Sequence, residues 1–201
     1  MSFRPLHIGL VMLLCVAGGW QAQAQRQDPA PDQKAGQAED WKIDPSRSTL
    51  TITGHEGKAP FKGTVGQWQG TIFFDPKSLE TSHVSVTVDT SSIKTGDTGR
   101  DTLFPSAEWL ASKAFPSATF ESSQIVPVGN DAYQALGTLT IRGVRRSVAL
   151  PFTVNMEDQT AHAHGTLSLL RTDFGVGEGV LGARTGISLE LGVTFDLTAT
   201  R

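Results

Sequence analysis

Gly137-Thr138-Leu139-Thr140-Ile141-Arg142-Gly143-Val144-Arg145-Arg146-Ser147-Val148-Ala149-Leu150-Pro151-Phe152 is the stretch whose reading decides the fold. Side chains of a strand alternate between its two faces, so Leu139 and Ile141 enter on one face, and Val148, Leu150 and Phe152 leave on the same one. A short basic turn joins the two runs, and that arrangement reads as an antiparallel hairpin.

The same alternation extends outward in both directions. Upstream it recurs in Leu50 and Ile52, in Trp68, Gly70, Ile72 and Phe74, and in Val84, Val86 and Val88. Residues 120–128, 133–141, 147–155, 160–170 and 187–197 follow, separated by turn signals such as Gly129-Asn130-Asp131 and Glu157-Asp158. In the last of them Ile187, Leu189, Leu191, Val193, Phe195 and Leu197 alternate with small or polar residues, which predicts one apolar and one wet face. Long strands with short connections are antiparallel neighbours. About eight of them make an all-β domain, either a sandwich or a closed up-and-down barrel whose interior holds side chains or one small ligand. The one helical signal is residues 106–113, opened by Pro105 and Ser106 and stopped before Pro116; it predicts a short helix capping the barrel mouth.

A hollow interior is expected from glycine. Gly70 between Trp68 and Ile72, Gly137 before Leu139, and Gly165 before Leu167 all fall on the inward-facing pattern, where a missing side chain leaves volume. Leu103, Phe104, Trp109, Leu110 and Phe115 concentrate large apolar area around the expected helix, more than one helix face can bury, which predicts a lid over an apolar ligand.

The ends of the chain bound its location. Residues 1–24 read as a signal peptide, with Arg4 as the n-region, residues 8–18 as the apolar core and Ala22-Gln23-Ala24 as the cleavage site, so the mature chain is expected to start at Gln25 in the periplasm. Cleavage removes Cys15, the single cysteine, and with it any disulfide, thiolate or cysteine metal ligand. Residues 25–40 carry no large apolar side chain and read as a disordered leader, leaving 41–201 as one domain. The processed chain has 16 Lys and Arg against 20 Asp and Glu, a formal charge of −4. That balance argues against a nucleic-acid partner, and the one cationic cluster, Arg142, Arg145 and Arg146, reads as a solvated turn.

Motifs for catalysis are missing. No G-x-S-x-G, H-E-x-x-H or C-x-x-C-H occurs, so no catalytic residue and no cofactor is expected. Residues 177–182 match G-x-G-x-x-G but lack the strand before and helix after that a dinucleotide site requires, and read as a flexible loop. His162 and His164 share one strand face opposite Leu167 and Leu169; they read as solvent-facing, without the further ligands that a metal site needs.

Several segments in order carry a resemblance: Trp41-Lys42-Ile43-Asp44-Pro45, residues 68–76, Ser91-Ser92-Ile93-Lys94-Thr95-Gly96, Arg100-Asp101, Phe115-Pro116-Ser117-Ala118-Thr119-Phe120, the hairpin, and Arg171-Thr172-Asp173-Phe174-Gly175. Together they resemble the YceI-like family of secreted lipid-binding proteins. The resemblance implies an extended lipocalin-like antiparallel barrel holding a long isoprenoid, such as a polyprenyl phosphate or a quinone tail, and no catalytic machinery. Many relatives have a histidine after the Arg-Asp pair; here Thr102-Leu103-Phe104-Pro105 follows, a departure that bears on the headgroup contact rather than on the tail site.

The expected lipid-contact residues are Trp68, Gly70, Ile72, Phe74, Val86, Leu103, Phe104, Trp109, Leu110, Phe115, Phe120, Gly137, Leu139 and Phe174, with Arg100, Asp101 and Arg171 at the headgroup. The role implied is binding, storage or transport of an isoprenoid lipid by a monomer or homodimer that touches the membrane transiently. Two alternatives stay open: a quinone-presenting accessory of a membrane cytochrome or oxidase, and a ligand-free structural envelope protein.

Overall fold

The computed structural model describes residues 40–179, 182 and 184–201. The expected signal peptide and nearly all of the leader lie outside the described residues, as do Val180, Leu181 and Ala183.

Among the described residues, these elements follow in chain order: β1 (Asp40–Ile43), β2 (Thr49–Glu56), β3 (Ala59–Val65), β4 (Trp68–Phe73), β5 (His83–Asp89), β6 (Ile93–Lys94), the α-helix α1 (Thr98–Leu103), β7 (Ser117–Gly129), β8 (Ala132–Ile141), β9 (Val144–Glu157), β10 (Thr160–Leu170) and β11 (Glu190–Thr200). Eight of them, β1-β4-β5-β7-β8-β9-β10-β11, form a ring that closes where Lys42 and Ile43 of β1 pair with Thr200 and Ala199 of β11. The all-β lipocalin-like barrel is thus the observed fold. β1 covers only one end of β11. At the other end β2 takes its place, and β3 and β6 continue the sheet from β2. The strands β1, β3 and β6 were not expected, because two are very short and Pro60, Lys62 and Gly63 interrupt the apolar pattern of the third.

The hairpin is present as read. Ile141 pairs with Val144 across a two-residue turn in which Arg142 and Gly143 both take positive φ, 52° and 75°, the geometry that matches strand twist. Arg142 is not a solvated turn residue. It is half-buried, and its guanidinium donates to the carbonyl of Gly175 and, at 2.9 Å, to that of Ala107, tying the turn to two neighbouring loops. Arg145 and Arg146 are exposed.

Two expectations are corrected. Residues 106–113 form successive turns rather than a helix, with Ala111 at φ 49° and Ala111 N–H donating to the Ser106 carbonyl at 2.8 Å. The helix lies earlier, at Thr98–Leu103, where the Asp97 carboxylate accepts the Arg100 N–H at 2.9 Å as N-cap. The last strand begins at Glu190 rather than 187. Ile187 makes only an isolated bridge to Glu56, and Leu189 is 55% exposed.

Apolar side chains gather in two clusters along the barrel axis. The floor holds Trp41, Phe74, Phe120, Tyr133, Val154 and Ala161; the mouth holds Phe61, Ile93, Phe104, Trp109, Phe174 and Val176.

Candidate functional site

Between floor and mouth lies an elongated lumen of about 230 Å³. Its lining is contributed by alternate residues of nearly every strand, as the period of two requires: Leu50 and Ile52 from β2, Trp68 and Ile72 from β4, Val84, Val86 and Val88 from β5, Leu139 and Ile141 from β8, Leu150 and Phe152 from β9, Leu167 and Leu169 from β10, Val193 and Phe195 from β11. Thr90 and Thr119 are its polar contributors. The Thr90 hydroxyl is turned away into the wall, 2.9 Å from the Ser112 hydroxyl and 2.9 Å from the Phe115 carbonyl. Among the described residues, the lumen lining therefore presents no acid, base or charge to a bound molecule.

The floor is sealed by aromatics. Phe74 meets Tyr133 edge to face at 5.1 Å, and Tyr133 stacks on Phe152 at 5.5 Å. Burial and the nearby Asp131 carboxylate push the Tyr133 phenol up from its ordinary pKa, keeping it neutral. Trp41 donates its indole N–H to the Phe74 carbonyl at 2.9 Å, so the largest floor side chain carries no unpaired polar atom.

The mouth is plugged by loops. Phe104 and Trp109 stack with centroids 5.4 Å apart, and the Arg171 guanidinium lies 4.9 Å from the Trp109 ring. Arg171 is 3% exposed and donates to the carbonyls of Val176, Gly177, Ile187 and Ser188 at 2.7–3.3 Å, which ties the 171–174 turn to the segment leading into β11. Burial pushes its pKa down from the ordinary arginine value. Near it α1 is anchored twice. Asp101 accepts the N–H and hydroxyl of Thr95 at 2.7 and 2.8 Å, and these bonds, the backbone one foremost, hold its carboxyl below the usual range. Arg100 pairs with Glu56 at 2.5 Å and lies 5.0 Å from the Phe61 ring centroid.

Of the expected contact residues, Trp68, Ile72, Phe74, Val86, Leu110, Phe120 and Leu139 line the lumen. Leu103, Phe104, Trp109 and Phe174 pack in the plug rather than along the lumen, whereas Leu110 beside them reaches it. Phe115 is 38% exposed and lies outside, over Gly143. The three inward glycines do not make the hollow, because the space beside each is filled. A Cβ on Gly137 would stand 2.3 Å from the Glu121 carbonyl oxygen, where a bulge brings β7 close, and one on Gly165 would meet the Phe195 ring at 2.6 Å. Gly70 is covered by Ile43, 3.0 Å from such a Cβ. The hollow comes instead from the ring size and from small lining residues, Ala118, Ala135, Ala161, Ala163 and Ala199, whose alternation with larger side chains was the available signal. Of the expected headgroup set, Arg100, Asp101 and Arg171 each make bonds that hold the mouth together.

His162 and His164 face outward, His162 Nδ1 3.1 Å from the Thr198 hydroxyl and His164 Nδ1 3.6 Å from the Asp196 carboxylate. Among the described residues no group of three or more His, Cys, Asp or Glu side chains is placed to hold a metal ion. The G-x-G-x-x-G stretch falls partly on residues outside the description.

Comparison with known proteins agrees with this architecture. A UPF0312 protein of Vibrio cholerae serotype O1 is 30% identical over 172 residues, covering 79% of this chain and 88% of its own. The crystal structure of Burkholderia cenocepacia BcnA superposes with a TM-score of 0.75 at 29% identity, covering 79% of this chain and all of that one (100%). A polyisoprenoid binding domain from Saccharophagus degradans shares the fold with a TM-score of 0.63 at 14% identity, over 82% of this chain and 99% of that one. The model of the YceI-like domain matches residues 41–199, from the tryptophan of the floor to the end of the last strand, and the chain belongs to that family.

Proposed function

We propose that the protein is a carrier, not an enzyme, that binds the chain of a long isoprenoid lipid in its lumen and stores or transports it in the periplasm. The observation that carries this reading is a closed-floor lumen lined by apolar side chains, with no ionisable group among them. Each buried CH₂ contributes about 0.8 kcal/mol, so such a lumen favours chain length over headgroup chemistry. The structural neighbour from Saccharophagus degradans, named for polyisoprenoid binding, supports the ligand class. The volume of about 230 Å³ lies below the roughly 300 Å³ at which ordinary ligand pockets begin, so a chain of several isoprene units must spread the walls as it enters.

Native mass spectrometry of the protein recovered from its own periplasm tests the reading. A bound species heavier than the chain by an isoprenoid mass is the expected result; a protein that carries no extractable lipid after gentle purification, and takes none up from vesicles, overturns it. The same spectrum reads the location: the processed mass should begin at Gln25.

A further inference from the structure

The barrel wall is not paired along its full height. β9 and β10 share six pairs, from Thr160 with Glu157 to Gly165 with Phe152, and there the ladder ends. From that point β10 continues through Thr166–Leu170 paired only with β11, and β9 runs back through residues 144–151 paired only with β8. The cause is in the sequence. The next rung would join Pro151 to Thr166, and proline has no N–H to give. The Pro151 carbonyl is turned toward β10, 2.5 Å from where a Gly165 Cβ would be, so this residue does face the missing rung. Further along, the Arg145 carbonyl, which a neighbouring strand would take, is instead bonded by the Arg146 guanidinium at 3.1 Å.

Behind this gap lies the lumen. Leu150 on one lip and Leu167 and Leu169 on the other are lumen-lining and only half-buried. The axial route is obstructed by contrast: Trp109 is 1% exposed and Phe174 2%, and Arg142 and Arg171 bond six backbone carbonyls around them. At the mouth end the Arg142 contact with Gly175 bounds the gap, leaving a window in the side of the barrel rather than a slit through its rim.

We infer that lipid chains enter and leave sideways, through the window between β9 and β10, while the plug stays in place. The inference rests on the lumen being the chain site. Spreading these lips breaks no backbone hydrogen bond between them, so the wall can widen here at lower cost than at a paired seam.

Ala149 and Ser168 are exposed, outward-facing and opposite each other on the extended register, and replacing both by Cys in a Cys15→Ser chain allows a short bismaleimide to staple the lips. Glu108→Cys with Glu178→Cys staples the plug instead, where Gly177 N–H already donates to the Glu108 carbonyl. Each form is loaded with geranylgeraniol, and its release into phosphatidylcholine vesicles is timed. The lip staple should slow release about tenfold or more, and the plug staple should change it less than about twofold. The reverse pattern, or equal release from both, overturns the window while leaving the lumen reading intact; failure of every form to hold geranylgeraniol overturns both. Pro151→Val, which supplies the missing N–H, is a second variant should the double cysteine chain fold poorly. It should slow release without a staple, and unchanged release from it counts against the window.

Discussion

The two ends of the barrel are closed by different physics. The floor is made mostly by strands, whose alternation delivers Trp41, Tyr133 and Phe152 to the interior, with Phe74 just past the end of β4 keeping the same parity. Of its polar groups, the Trp41 indole N–H is bonded to the Phe74 carbonyl and the Tyr133 phenol is held neutral. The mouth is made by loops, and loops carry backbone carbonyls that must be satisfied. Arginine side chains do this work: Arg171 serves four carbonyls and Arg142 two. The satisfaction is incomplete, since Trp109 Nε1 and Arg142 Nε are buried with no partner. Burial of apolar area closes the floor, whereas the mouth closes through a polar frame around an aromatic stack.

The sharpest way to break this comparison is to empty the floor. Phe74→Ala should cost about 3–5 kcal/mol of stability in urea unfolding, because it removes a ring packed edge-on against two others. A loss under about 1 kcal/mol would mean the floor collapses freely and is no rigid base. At the mouth, Arg171→Met keeps the apolar stem but abandons four carbonyls; about 2–3 kcal/mol should be lost, with new protease cleavage in residues 104–116. Arg171→Lys should not rescue it, since one ammonium cannot span the four acceptors.

Trp109→Phe sharpens the contrast at smaller scale. It deletes the orphaned N–H together with some packing area, so the two effects oppose, and the melting free energy should stay within about 1 kcal/mol of the parent. The equivalent Trp41→Phe change strands the Phe74 carbonyl and should cost more than its Trp109 counterpart. The smallest effect is electrostatic. Asp44 caps the 3-10 turn between β1 and β2, and hydrogen bonds from Ser46 and Arg47 lower its pKa from 3.8 to about 2. The folded form therefore binds this proton more weakly than the unfolded chain does, and its contribution is present above pH 3.8 and fades as pH falls toward 2. Asp44→Asn should flatten the stability curve in that window and leave it unchanged in shape at neutral pH.

The hairpin of residues 137–152 was legible because every cue agreed: alternation on both arms and Gly143 at a turn position needing positive φ. Six of the expected contact residues that line the lumen were legible on the strands, and the seventh, Leu110, from the apolar concentration around residues 103–115. The helix was misplaced for an identifiable reason. Residues 106–113 have proline and serine at the start and good formers within, but Phe104 and Trp109 must both face the core. The chain meets this with turns, Leu110 N–H donating to the Phe104 carbonyl at 3.0 Å and Ala111 N–H to that of Ser106 at 2.8 Å, which bring the two rings face to face. The real helix has Gly99 inside it and no apolar stripe, so its only signal was Asp97 as a cap.

Period-two patterning thus determined, from the sequence alone, that this is an antiparallel all-β domain with an apolar interior, because side-chain direction in a strand depends only on parity; that the sheet closes into a barrel rather than packing as a sandwich is seen in the β1–β11 pairing. What tertiary structure decided are the features that depend on which strands meet. Gly137 and Gly165 read as absences along their own strands, yet across the sheet they are filled by the β7 backbone and the Phe195 ring. Arg171 read as a charge for a ligand, yet the loops around it consume its donors. Pro151 read as one residue of a hairpin arm; its consequence, an unpaired stretch in the wall, exists only because the strand beside it is β10. Neighbours brought together by ring closure are not encoded in any local window, so the solvation of a charge or the continuity of a ladder is settled only after the chain has folded.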